Sequence, residues 1–188
     1  MSTVDRVRRP RADAQRNLER LRAAADEAFR RDGTNASLER IARDAGVAVG
    51  TLYGHFPRRE ALIAAVLRDR HDALFAQGER LLADRPPAQA LADWVRAVSA
   101  HAAIYRGLAQ VLATGHEDAV SELHADCARM ADLTHRVAAA ARRAGALRAS
   151  VTDEDLTTLM NAAAWTRDQS EQQAERLLAA ALAGMAGP

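Results

Sequence analysis

The sequence of 188 residues contains a single cysteine, three phenylalanines, two tyrosines and two tryptophans. One cysteine excludes an internal disulfide and is typical of a protein from a reducing compartment. No apolar run approaches the roughly 20 residues that cross a membrane, and the N-terminus lacks the apolar core of a signal peptide. We therefore expect a soluble, cytoplasmic protein.

Runs of β-branched residues are also scarce, whereas alanine is abundant and 48% of the residues are apolar. Such a composition favours helices over strands and supplies enough apolar residues for a core. We find no internal repeat and no strand pattern. The sequence therefore predicts an all-α fold of about nine helices.

One stretch, SLERIARDAGVAVGTLYGHFPRR from Ser37 to Arg59, predicts two short helices joined by a tight turn. Ser37 is a suitable N-cap, because its hydroxyl can accept a hydrogen bond from a free amide of the first turn. Gly46 suits the left-handed residue that ends the first helix, and the second helix should run from Ala48 to Gly54. Two short helices around such a turn form a helix-turn-helix, whose second helix enters a DNA major groove.

The end of this stretch is more specific than the turn. The letters TLYGHF at residues 51–56, followed by a basic residue at 59, an acidic one at 60 and leucine at 62, resemble the DNA-binding domain of the TetR family of bacterial repressors. The resemblance covers about residues 15–65. It implies a helix-turn-helix DNA-binding domain over residues 1–60, and a helical effector-binding and dimerisation domain over residues 61–188.

The resemblance also implies phosphate contacts by the hydroxyl, imidazole and guanidinium groups near the end of the recognition helix, which fix its position on DNA. The start of that helix has no side chain that hydrogen-bonds to bases, so we expect DNA shape and thymine methyl contacts to carry much of the specificity. The predicted DNA contacts are Thr51, Tyr53, His55, Arg58 and Arg59, then Ala48, Val49 and Gly50 at the bases, with Arg40 and Arg43 beside them.

The charge distribution agrees with DNA binding in the first domain. Residues 1–60 hold 13 arginines against nine acidic residues, a net charge of +4, whereas residues 61–188 hold 13 against 16, a net charge of −3. Neutralising phosphates contributes strongly to DNA affinity, so the positive domain is the expected one. Residues 1–12 carry four arginines around Pro10, and we expect an irregular segment there. It is either a solvated tail or an arm that contacts DNA.

Residues 61–188 are too many for dimerisation alone, and the resemblance implies that they hold a small-molecule pocket. An effector bound there would lower the affinity for the operator. Large or polar residues on otherwise apolar stripes are the pocket candidates, although each could equally pack in the core. No strong charge lies on these stripes, which favours a neutral, hydrophobic or aromatic effector. The candidates are Trp94, His101, Tyr105, Cys127, Met130 and Trp165.

The last two helices are the predicted dimerisation elements. Their small residues permit close helix approach and their leucines supply apolar area, although packing within one chain is the alternative. By the resemblance, two recognition helices would meet successive major grooves about 34–36 Å apart on a palindromic operator. The predicted interface residues are Leu156, Ala163, Leu177, Leu178, Ala181 and Leu182.

Together these observations predict a ligand-responsive transcriptional repressor that acts as a homodimer on double-stranded operator DNA, without a cofactor. The alternative is a metal-responsive sensor using His116, His124, Cys127 and His135, although no second pair has matching ligand spacing. An enzyme is disfavoured because no nucleophile with its base, phosphate loop or cofactor motif is present. A helical protein-interaction module is a third class, and it would not retard DNA in a gel shift.

Overall fold

The computed structural model describes the backbone of residues 3–114 and 122–187, and the side chains of residues 13–111 and 123–187. Over these ranges the chain is helical, with a single β-bridge between Leu147 and Ala186 and no longer strand. The all-α prediction is confirmed. The helices are α1 (Thr3–Asp32), α2 (Leu38–Asp44), α3 (Val49–His55), α4 (Arg59–Asp84), α5 (Pro87–Ala102), α6 (Leu108–Thr114), α7 (Glu122–Arg143), α8 (Asp153–Arg167) and α9 (Glu171–Met185).

The chain divides into two compact units, Met1–Leu67 and Arg68–Pro188, with the boundary inside α4. Each unit has a hydrophobic core of its own. No helix in the described ranges is both long and apolar enough to cross a membrane.

The first unit is built by packing α1 on α2 and α2 on α3. Phe29 is fully buried and Phe56 is 6% exposed, so both phenylalanines belong to the core of this unit. The other fully buried large side chains of this unit come from all four of its helices. They are Leu21, Ile41, Leu52, Leu62, Ile63 and Leu67.

The two ends of α2 are formed by the residues predicted for them from the sequence. The Ser37 hydroxyl accepts a hydrogen bond from the Arg40 amide at 3.2 Å, as an N-cap should. Gly46 has a φ of +65°, in the left-handed region that favours glycine. Both predictions are confirmed, and α3 then runs from Val49 to His55, one residue later than predicted.

The prediction of an irregular segment over residues 1–12 is wrong for its described part, because α1 begins at Thr3. Pro10 removes one backbone hydrogen bond inside this helix. The residues around it include several arginines, which are good helix formers, and the helix continues through the proline.

In the second unit α5 packs against α7 and α8, and α8 packs against α9. Gly78 of α4 lies against the fully buried Trp94 of α5. A Cβ atom at Gly78 would be 2.7 Å from the Trp94 ring atom Cζ3 and 3.2 Å from Leu133 Cδ1. The absence of a side chain at Gly78 therefore permits this close helix contact.

The remaining helix ends also have clear local causes. Thr152 and Asp155 form a capping box at the start of α8, and Ser170 caps α9. Tyr105 was expected on an apolar helical stripe, but α5 ends at Ala102 and Tyr105 lies beyond it. Its side chain is nevertheless buried, in the turn that follows.

Candidate DNA-binding and effector sites

Helix α3 combines a buried anchor with an exposed apolar face. Leu52 is fully buried and fixes the helix to the first unit, whereas Val49 and Tyr53 are 37% and 43% exposed. These two residues are four apart and therefore lie on one face of the helix. Among the residues whose side chains are described, only two other large hydrophobic residues are exposed, Trp165 and Leu177.

The surroundings of this face are open. Added Cβ atoms at Gly50 and Gly54 would meet no atom within 4 Å. Of the ten predicted DNA contacts, Thr51 and Arg59 are half-buried. The other eight are exposed: Arg40, Arg43, Ala48, Val49, Gly50, Tyr53, His55 and Arg58.

Arg59 makes internal contacts that the sequence did not predict. Its Nη1 donates hydrogen bonds to the carbonyl oxygens of Thr34 at 2.8 Å and Ala36 at 2.5 Å, in the loop between α1 and α2. The start of α4 is thereby tied to the loop that precedes α2. The pKa of Glu39 is lowered by a backbone hydrogen bond and by the Ser37 hydroxyl, with a smaller contribution from the positive charge of Arg59.

A second group of polar side chains lies inside the second unit. His71 of α4 is 1% exposed, and its Nδ1 is 2.5 Å from the carboxylate oxygen Oδ2 of Asp126 on α7. A carboxylate only accepts hydrogen bonds, so Nδ1 of His71 donates to Asp126. The His101 ring of α5 is 6% exposed, and its centroid is 4.8 Å from that of His71. We call His71, His101 and Asp126 the histidine centre.

Two nitrogen atoms of the histidine centre are buried without a hydrogen bond. The Nε2 atoms of His71 and His101 find no partner among the described residues. An unpartnered buried polar atom costs about 1–3 kcal/mol. Burial, followed by the positive charges of His71 and Arg70, lowers the pKa of His101 from 6.5 to about 3, against an opposing effect of Asp126. His101 is therefore neutral at physiological pH.

Comparisons with known proteins agree with this architecture. Residues 21–66 match the family model of bacterial regulatory proteins of the tetR family, and residues 86–187 match the C-terminal domain of SbtR-like transcriptional regulators. A TetR transcriptional regulator from Streptomyces coelicolor is 35% identical, covers 90% of this chain and 98% of its own, and has a TM-score of 0.60. The chain belongs to the TetR family.

Two further structures extend the likeness of this TetR-family chain. A TetR regulator from Mycobacterium vanbaalenii is 31% identical over 94% of this chain and 98% of its own, with a TM-score of 0.56. A regulator from Bacillus subtilis, solved in complex with stearoyl-CoA, is 16% identical over 89% and 98%, with a TM-score of 0.60, and shows the shared fold alone. No match was found among the curated proteins. The chain is thus a TetR-family transcriptional regulator, and the family members that it resembles are regulators rather than enzymes.

The six pocket candidates of this TetR-family chain have different surroundings. Trp94 is buried and its Nε1 donates to the Thr134 hydroxyl at 2.9 Å, which satisfies its polar end within the core. Met130 is half-buried against the core, and Tyr105 is 1% exposed. Trp165 is 66% exposed, so it lies at the surface and not on an inner stripe. His101 belongs to the histidine centre, and Cys127 directly follows its Asp126 in sequence.

Of the three residues of the histidine centre, His101 was predicted from the sequence, whereas His71 and Asp126 were not. His71 lies within the charged run RDRHD, which reads as a surface segment. A signal was nevertheless present, because His71 is four residues from both Leu67 and Phe75, on the apolar stripe of α4. Asp126 could not be assigned in this way, since its partner is 55 residues away in sequence.

The six predicted dimer residues divide into two groups. Leu156, Ala163 and Leu178 are fully buried within the chain, so a partner subunit cannot contact them in this conformation. Leu177 is 39% exposed, and Ala181 and Leu182 are half-buried beside the core of the second unit. The first three occupy the inner face of α8 and α9, where they join the two helices to the core.

His135 and Cys127, two residues of the metal alternative, have different surroundings. His135 of α7 is exposed and its Nδ1 is 2.7 Å from Asp153 Oδ2 at the start of α8. Burial and the negative charge of Asp126 raise the pKa of the Cys127 thiol to about 11, which disfavours the thiolate that binds metals. The described residues include no group of three or more His, Cys, Asp or Glu arranged for a metal ion, and His116 lies outside them.

Proposed function

We propose that this TetR-family regulator is a cytoplasmic repressor that binds a palindromic operator as a homodimer and is released by a small effector. The observation that carries the proposal is the distribution of exposed large hydrophobic residues. Two of the four in the described chain lie on α3, and the other two lie on α8 and α9. We assign the pair on α3 to DNA reading and the residues on α8 and α9 to a dimer interface, because exposed apolar residues are available to a partner.

The DNA-binding part of the proposal rests on the exposed face of α3. Val49 can contact thymine methyl groups, and Gly50 permits close approach of the helix to the bases. The hydroxyl of Tyr53 and the imidazole of His55 then hold phosphates, together with the arginines Arg40, Arg43 and Arg58. Because α3 offers few hydrogen bonds to base edges, operator shape carries much of the specificity.

The dimer part rests on the outer face of α8 and α9. Leu177 and Gly184 are seven residues apart on α9 and therefore lie on one face, with Ala180 between them. An added Cβ atom at Gly184 would meet no atom within 4 Å. Trp165 is exposed on α8, which packs against α9. An aromatic residue beside small residues provides area and permits close approach of a second copy.

The effector part rests on the second unit, residues 68–187. Its interior is mainly apolar, with few polar groups, which suits a neutral effector with an apolar body. The stearoyl-CoA complex of the Bacillus subtilis neighbour shows an acyl ligand on the same fold. We propose that Trp94, His101, Tyr105, Cys127 and Met130 line or border this site.

Two glycine variants test the two surfaces independently. Gly50→Trp should weaken binding to DNA flanking the gene by at least about 100-fold, because the indole prevents α3 from approaching the bases, and should leave the dimer intact. Gly184→Trp should convert dimers to monomers, because the indole separates the two copies of α9. Gel shifts at a stated salt concentration and sedimentation velocity measure the two effects.

Each variant is the control for the other, since a Cβ atom at either glycine meets no atom within 4 Å apart from its own helix backbone and its two chain neighbours. Circular dichroism should show both variants folded. The proposal fails for DNA binding if the Gly50 variant retards DNA as the wild type does. It fails for dimerisation if the Gly184 variant sediments as a dimer.

A further inference from the structure

The phosphate contacts proposed on α3 itself lie at its C-terminal end. Tyr53 and His55 belong to the last turn of this helix, whereas residues 48–50 at its start have side chains without a hydrogen-bond donor. Phosphates border both edges of a major groove, which is about 12 Å wide. A helix held at one edge alone can tilt in the groove, so a cation near the start of α3 has to come from another helix.

Arg20 of α1 supplies a cation at the turn that leads into α3. A Cβ atom at Gly46, in this turn, would be 3.4 Å from Arg20 Nη1, so the guanidinium group lies against the turn. The chain goes from Gly46 to Val49, the first residue of α3, in three steps that span at most about 11 Å. The guanidinium group is therefore within about one groove width of the residues proposed to read bases.

The guanidinium group of Arg20 is available to a ligand. Arg20 is exposed, and among the described residues no carboxylate lies within ion-pair distance of it. Its Nη2 donates a hydrogen bond to Asn17 Oδ1 at 2.5 Å, which leaves Nε and Nη1 for another acceptor. Arg16, one helical turn earlier, differs in this respect because it pairs with Asp13.

The surface beside Arg20 has room for a phosphate group. Six residues of α1 line an open depression there: Asp13, Arg16, Asn17, Glu19, Arg20 and Ala23. Glu19 accepts a hydrogen bond from Gln15 Nε2 at 3.1 Å, and its negative charge opposes an anion in the depression. Arginine binds phosphate through two parallel N–H donors, and two nitrogens of Arg20 remain for this contact.

Arg43 of α2 adjoins the same turn. Its carbonyl oxygen accepts a hydrogen bond from the Gly46 amide at 3.0 Å, and its side chain is exposed. Two arginines from two different helices therefore adjoin Gly46, on the side of the first unit where α3 begins.

We infer that Arg20 binds the DNA phosphate that borders the major groove at the N-terminal end of α3, with Arg43 beside it. This inference rests on the proposed function, in which α3 lies in a major groove. Together with Tyr53 and His55, Arg20 gives α3 a phosphate contact at each end. Such a contact fixes the position of the helix and carries no sequence information.

The experiment measures binding of the full-length protein to duplex DNA flanking its gene, by fluorescence anisotropy over a series of salt concentrations. Arg20→Gln should reduce the slope of log affinity against log salt by about 0.9, because one phosphate fewer is neutralised. The affinity should fall about tenfold at about 0.1 M salt. Arg20→Lys keeps the charge and should retain the slope. An unrelated duplex should show the same loss in Arg20→Gln, since phosphates are common to all sequences.

Two further variants separate a local contact from the overall charge. Arg30→Gln removes the same charge from the same helix about 15 Å further along, where Arg30 pairs with Asp26 at 2.8 Å, and it should leave the slope unchanged. Glu19→Gln removes the carboxylate beside Arg20 and should strengthen binding by about threefold. Urea unfolding of each variant shows whether the fold is retained.

Three results would overturn the inference. The first is a wild-type slope in Arg20→Gln, with or without a loss of stability, which would leave Arg20 as a structural support of the turn. The second is an equal reduction of the slope in Arg30→Gln, and the third is weaker binding by Glu19→Gln. If the wild type binds no DNA, the proposed function fails as well. If it binds and Gly50→Trp weakens binding while Arg20→Gln does not, only the inference fails.

Discussion

The two units of this regulator place their polar chemistry differently. In the first unit the residues proposed to contact DNA are mostly exposed on α2 and α3 above a mainly apolar core, and Tyr53 is 43% exposed. In the second unit the histidine centre is inside, with His71 only 1% exposed. Exposed groups contribute little to folding and are available to a large polyanion, whereas buried groups affect stability and accept only a small partner.

This comparison predicts that changes inside the second unit alter stability most. Gly78→Ala should destabilise the protein by about 1–3 kcal/mol, because the new methyl group would lie 2.7 Å from the Trp94 ring and force it to move. Gly184→Ala is the matched control on an exposed helical face, and should stabilise by up to about 1 kcal/mol through helix propensity. Urea unfolding measures both, and equal effects would contradict the close packing at Gly78.

The buried His101 of the second unit should make the stability of the protein depend on pH. The pKa of His101 is about 3 in the folded state and near 6.5 when unfolded, so the unfolded state binds more protons between these values. His101 thus contributes no pH dependence above about pH 6.5, and below it should reduce stability by up to about 1.4 kcal/mol per pH unit. Arg70, His71 and Asp126 face the same ring and modulate this slope.

Urea unfolding at several pH values tests this expectation, with His101→Gln as the comparison. The variant should show a shallower decrease between pH 6.5 and pH 4, because the glutamine does not titrate. The exposed His135→Gln variant should retain most of the wild-type slope. An unchanged slope in His101→Gln would mean that other groups produce the acid sensitivity.

The smallest expected effect concerns Arg59 of the first unit, whose half-buried side chain is hydrogen-bonded to the loop between α1 and α2. Arg59→Gln should cost about 1 kcal/mol, since the hydrogen bonds to the carbonyl oxygens of Thr34 and Ala36 are lost. If Arg59 also binds a phosphate, the variant should reduce the slope of log affinity against log salt by about 0.9. Reduced stability with an unchanged salt slope would leave Arg59 as a purely structural residue of the loop.

Much of the fold could be predicted because its determinants are local. The Ser37 cap and the left-handed Gly46 each act over one helical turn. The family motif is local as well, since all of its residues lie within residues 51–62. The part that sequence reasoning missed depends on long-range contacts, such as the pairing of His71 with Asp126 and of Arg59 with the Thr34 carbonyl.

Prediction of the dimer and pocket residues was limited for a related reason. Periodicity places a residue on a helix face but does not tell whether that face meets its own chain or another. Leu177 and Leu178 are adjacent in sequence, yet one is 39% exposed and the other is fully buried. Likewise Trp94 and Trp165 are both large aromatics on helices, and only Trp94 is buried.

The contrast between these two tryptophans gives the protein two intrinsic optical reporters. They are the only tryptophans in the sequence, one enclosed in the second core and the other 66% exposed. Trp94 emission should be blue-shifted and protected from acrylamide, whereas Trp165 emission should be red-shifted and readily quenched. A second copy covering α8 would protect Trp165 alone, so subunit association could be followed by fluorescence without attaching a dye.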